Sequence, residues 1–169
     1  MKIEDIQKNL FVSESTKYGD KYIEHLLEQY KVYLNSVEKV SDRRQKANEF
    51  FLALNTALVT LLGYVITKNT SGINLIIILA SIAGVSVCYL WYRIIMSYKG
   101  LNTGKLKVVH AIEARLPLSL YDTEWEILGR GENKKLYWPF THIEIKVPWV
   151  FIFIYILIII NILAPYFCA

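Results

Sequence analysis

The chain has 169 residues, 54% of them hydrophobic and 20% charged, with a formal net charge of +4. With its positive mean hydropathy, this composition points to the membrane class rather than to a soluble domain. The charge is too small and too evenly spread for a nucleic-acid partner, and two cysteines make no disulfide framework.

Residues 1–19 form an N-terminal segment unlike a secretory signal. It lacks an apolar centre of about 7–15 residues, and Glu4 and Asp5 stand where a basic stretch belongs. The first apolar run is therefore expected to act as an uncleaved internal anchor. Residues 20–49 read as a cytoplasmic amphipathic helix in which Ile23, Leu27, Tyr30, Leu34 and Val37 recur at spacings of 4, 3, 4 and 3. That is the seam of a coiled coil or of a helix packed on a neighbour. Asp20 predicts the N-cap, and no Pro or Gly interrupts Lys21 to Leu62, so the helix should run directly into the first span. Its cytoplasmic part, about 28 residues at ~1.5 Å each, would project roughly 40 Å. Glu24, Glu28, Glu38 and Asp42 dilute the basic face that would otherwise hold it flat on anionic lipid. A seam this narrow needs partner helices, which predicts a homo-oligomer.

Three apolar runs predict transmembrane helices at 50–67, 73–92 and 147–167, each near the ~20 residues that cross a hydrocarbon layer. A hairpin at 68–72 joins the first two. Residues 1–49 carry nine basic side chains, residues 93–146 carry nine, and the hairpin carries one, Lys68. The bias places the N-terminus and residues 93–146 in the cytoplasm, and the hairpin and C-terminus outside. Ala80, Gly84 and Cys88 make a small-residue stripe on the second run, a surface for close helix approach and a candidate contact between copies of the chain. Asn55, Thr56, Thr60 and Asn161 are among the few polar residues within the spans. They read either as a pore lining or as bonds between and within helices. No Asp, Glu, Lys, Arg or His lies mid-span, which argues against a pump, proton relay or voltage sensor. Cys88 lies inside the second run and Cys168 beyond the third, near opposite faces, so the two should not pair.

Residues 93–146 form a small, mainly helical cytoplasmic insert. Asn102 or Thr103 predicts a cap for a helix running through Leu106, Val109 and Glu113 to Leu116, before Pro117. Asp122 predicts the cap of a second helix, TEWEIL, ended by Gly129. Pro139 and THIEIKVP lead back to the membrane, and Pro148 suits the first turn of the last helix. Trp138 and Trp149 suit an interfacial belt, and Trp125 suits a core or subunit contact.

In order, the insert reads SYKGLNTGKLKVVHAIEARLP and then YDTEWEILGRGENKKLYWPFTHIEIKVPWVF. This series resembles the RipA family of bacterial octameric membrane proteins. Leu116-Pro117, Glu124–Trp125 and Thr141-His142-Ile143-Glu144 ahead of Val147-Pro148 carry the resemblance most specifically. The likeness implies a small protein of the bacterial inner membrane assembling as a homo-octamer, with no catalytic residue or cofactor to transfer.

His110 and Glu113, with His142 and Glu144, could be imagined as a two-His, two-carboxylate metal site. Their spacing matches no established ligand motif, so His110, Glu113, Glu124, Trp125, His142 and Glu144 are expected to make polar and packing contacts within the insert or between subunits. Gly129 and Gly131 mark a turn and lack the pattern of a phosphate cradle. The expectation is an all-α integral membrane protein with three transmembrane helices. Its partners would be copies of itself and membrane lipid. Its function would be non-enzymatic: a scaffold, or a pore or chamber. The alternative is a membrane-disrupting effector or stress and defence component gated through its cytoplasmic ring.

Overall fold

The computed structural model describes residues 3–68, 73–133, 136–137 and 140–167. The expected hairpin at 68–72, apart from Lys68, lies outside them, as do Trp138, Pro139 and Cys168. Seven α-helices follow in chain order: α1 (Ile3–Leu10), α2 (Ser15–Tyr18), α3 (Tyr22–Thr67), α4 (Asn74–Glu113), α5 (Leu120–Ile127), α6 (Thr141–Glu144) and α7 (Lys146–Phe167). A 3-10 turn at Gly129–Gly131 follows α5, and no strand occurs among the described residues. The helices at Tyr22–Thr67, Asn74–Glu113 and Thr141–Pro165 are long and apolar enough to cross a membrane.

Unbroken helical propensity explains α3, which runs 46 residues with Gly63 as its one glycine and no proline. α4 departs from expectation. It continues for 40 residues through Gly100 and Gly104 to Glu113, so no new helix starts at Asn102 or Thr103. The Thr103 hydroxyl donates back to the Lys99 carbonyl at 2.9 Å, a bond that suits a helix interior and not a cap. Pro117 then excludes further helix. In α7, Pro148 is buried in the first turn, where no intrahelical N–H is needed.

Residues 1–43 with 98–139 form one compact unit, and residues 44–97 with 140–169 form a second. In the first, Tyr30 and Val37 of α3 pack against Val109 and Ile112 of α4, with Leu10, Leu26, Leu34 and Tyr121 around them. The N-terminal segment joins this core, since Ile6 is buried and the Arg115 guanidinium stacks 3.5 Å over the Phe11 ring. The core of the second unit is Leu62, Ile77, Cys88 and Tyr155, one or two residues from each apolar helix.

Candidate functional site

One polar group from each of the three spans meets at Asn55. Asn55 is fully buried, and its amide Nδ2 donates to its own helix at the Phe51 carbonyl, 2.8 Å away. Its Oδ1 accepts from Cys88 Sγ of α4 at 3.0 Å and from the Tyr155 hydroxyl of α7 at 3.0 Å. One amide oxygen therefore ties three membrane helices, in surroundings where an unmade hydrogen bond is costly. The Tyr155 ring reaches this position because Gly84 has no side chain: a Cβ there would lie 2.5 Å from Tyr155 Cζ. The stripe Ala80, Gly84 and Cys88, expected at subunit contacts, thus faces α7 and the core of its own chain. Tyr155 was not legible as its partner, although it is the single tyrosine in the middle of a charge-free run.

Thr56, Thr60 and Asn161 are exposed on the isolated chain. The Thr60 hydroxyl returns to the Thr56 carbonyl at 2.8 Å, which satisfies its proton within α3.

A second polar cluster lies where α6 leads into α7. Trp91 Nε1 donates to Asn48 Oδ1 at 2.9 Å, and Asn48 Nδ2 donates to Glu144 Oε1 at 2.8 Å. Arg44 pairs with Glu144 Oε2 at 3.7 Å and donates to Thr141 Oγ1 at 3.3 Å. Glu144 is 8% exposed, so these neighbours stand where water would otherwise surround its carboxyl group. The Trp91 ring also stacks on Phe51 with centroids 5.9 Å apart. His142 points outward, exposed, while Tyr92 and Trp149 meet edge to face.

In the first unit the focus is Glu113, 1% exposed. It accepts the Tyr30 hydroxyl at 2.9 Å and the backbone N–H groups of Tyr121 and Asp122 at 3.1 and 3.3 Å. Those amides belong to the first turn of α5, so Glu113 caps that helix from a distance. The expected cap, Asp122, lies inside the first turn instead, and its carboxylate faces His110 and Arg130, each at 3.6 Å. Burial, and then the hydrogen bond and charge of Glu113, push the Tyr30 phenol well above its usual range.

The expected seam divides in two: Tyr30, Leu34 and Val37 join this core, whereas Ile23 and Leu27 stay exposed at 63% and 41%. Trp125 packs edge to face on Tyr137, leaving its neighbour Glu124 exposed. Beside Val32 on the outer face of α3 is a shallow apolar concavity of about 340 Å³, lined also by Glu28, Gln29, Tyr33 and Ser36. His110 and Glu113 fall in one unit and His142 and Glu144 in the other. Among the described residues no group of three or more His, Cys, Asp or Glu side chains gathers to hold a metal.

Three apolar helices, tied within the lipid layer by one shared amide, define a polytopic α-helical membrane protein. The sequence model of the octameric membrane protein family (8xMP) matches residues 27–164. The chain belongs to that family, and the family's character implies that it associates with copies of itself. No curated protein and no solved structure matched it.

Proposed function

We propose that the chain is a non-enzymatic subunit of a homo-octameric scaffold in the bacterial inner membrane, of the RipA type. Its N-terminus and residues 93–146 face the cytoplasm. The Asn55 node carries this reading, because the most polar side chain of the first span is spent on holding the subunit together. A water-filled pore would need such groups on its wall. Nine basic side chains on residues 1–49 and nine on 93–146, against one on the hairpin, support the orientation.

A pore is the second reading, favoured by Thr56 and Thr60 standing exposed one turn apart on α3. Purified protein in liposomes separates the two. The scaffold should give eight copies by native mass spectrometry and no ion flux. Flux that changes in Thr60→Val would establish the pore, and a monomer in lipid would refute both. Cysteine labelling in intact cells checks the orientation: a cysteine at Lys17 should be shielded from an impermeant reagent, whereas one at Thr70 should react.

A further inference from the structure

Helix α5 carries two large apolar side chains that its own chain leaves open, Leu120 at 62% and Ile127 at 70% exposure. Glu124 lies between them and is also exposed. The spacing of four and then three places all three on one helix face. Trp125, the other half of the Glu-Trp pair, is turned the opposite way onto Tyr137, so α5 has an inner face that is used and an outer face that is not. Apolar side chains on the spans are covered by lipid. Those on a unit rich in charged residues have no such cover, and a cluster of them marks an association surface.

The same unit holds an apolar surface with basic side chains beside it. The concavity on α3 exposes Val32 at 70%. Glu28, its one charged lining residue, is paired with Lys31 at 2.9 Å, and Lys105 touches two of the lining residues, donating to Ser36 Oγ at 2.6 Å with its ammonium 4.7 Å from the Tyr33 ring centroid. Lys39, two helical turns from Val32, is exposed on the same face. α5 has three acidic residues, Asp122, Glu124 and Glu126, and no basic one. An apolar ridge with an acidic centre thus faces outward on one element, and an apolar groove with basic side chains beside it faces outward on another.

Octamer symmetry decides how such surfaces are used. Copies inserted in one orientation can be related only by an axis along the membrane normal, so a ring of eight is cyclic. Each contact in it joins two different faces. We propose that α5 of one copy lies in the α3 groove of the next, Leu120 and Ile127 covering Val32 and Tyr33, and Glu124 facing Lys39 and Lys105. Eight repeats of this contact close the ring. The inference rests on the octameric reading above and specifies the surfaces that build it.

Cysteine cross-linking tests it in lipid, on full-length protein carrying Cys168→Ser and keeping Cys88 in its buried site. The double variant Val32→Cys with Ile127→Cys should give a disulfide ladder reaching the octamer on mild oxidation, and each single variant should give none. A dimer from either single variant would mean that like faces meet, and would overturn the proposal. So would the absence of a ladder from the double variant while native mass spectrometry still counts eight copies. Loss of the octamer in the unmodified chain would instead refute the octameric reading itself. Glu124→Lys should lower the cross-linking yield several-fold and Lys39→Glu should restore it; an unchanged yield would overturn the placement of Glu124.

Discussion

Replacing Gly84 by alanine tests a close approach between two membrane helices, α4 and α7. The added Cβ would stand 2.5 Å from Tyr155 Cζ and 2.7 Å from both Cε atoms. Ordinary carbon contacts begin near 3.5 Å, so the ring must retreat by about 1 Å. It cannot do so freely, because its hydroxyl is held 3.0 Å from Asn55 Oδ1, and a hydrogen bond lengthened by that much is lost. Overpacking of this kind costs ~1–3 kcal/mol, and an interhelix hydrogen bond in lipid adds ~0.6–1.7 kcal/mol. The better helix propensity of alanine returns at most about 1 kcal/mol. The expected net loss is about 1–3 kcal/mol, read as an earlier midpoint when folded protein in mixed micelles is titrated with a denaturing detergent. Gly63→Ala is the control, since nothing lies within 4 Å of its added Cβ, and it should not lower the midpoint. In a Tyr155→Leu background the Gly84→Ala penalty should shrink by at least ~1 kcal/mol, the coupling expected of residues in contact. Equal penalties with and without the tyrosine ring would refute the reasoning.

Three further outcomes follow from the polar nodes. Glu113→Gln should destabilise the first unit by about 1.5–3 kcal/mol, the worth of hydrogen bonds to a charged group, measured by urea unfolding of the detergent-solubilised protein. Stability should also fall as pH rises past about 10: the folded state holds the Tyr30 proton more tightly than the unfolded chain, so its contribution is complete below that pH and is lost above it. Comparing the wild-type pH profile with that of Tyr30→Phe isolates this slope, and identical slopes would contradict it. Trp91→Phe leaves Asn48 Oδ1 without its indole donor and should cost about 1 kcal/mol, seen as a lower melting temperature in nanodiscs.

The spans were legible because uncharged runs of membrane length have few other uses, and the 46-residue α3 because nothing in it breaks a helix. The stripe of Ala80, Gly84 and Cys88 was legible as a place of close approach. Its partner was not, because small residues state that something comes near without stating what. Tyr155 follows Gly84 by 71 positions and becomes its neighbour only when α7 packs. The same holds at Glu113, where local pattern favoured Asp122 as a cap while a carboxylate from α4 supplied it through tertiary contact. Asn102 and Thr103 suggested a helix start inside what is one continuous α4, beside Gly100 and Gly104. Each glycine weakens a helix by about 1 kcal/mol, and the buried Cys88, Trp91 and Ile95 before them and Val109 and Ile112 beyond them outweigh that cost. In the seam, the period located a packed face but did not separate Tyr30 and Val37, which meet α4, from Ile23 and Leu27, which stay open.

The shared acceptor at Asn55 also bears on how the chain is made. Its two donors lie 33 and 100 residues further along, so when the first span enters the bilayer during synthesis the Oδ1 has neither. Cys88 arrives first and brings only a weak thiol donor. The phenol of Tyr155 arrives with the last helix. Until then the half-made protein carries an under-satisfied amide in hydrocarbon, and completion of the third span supplies the missing bond.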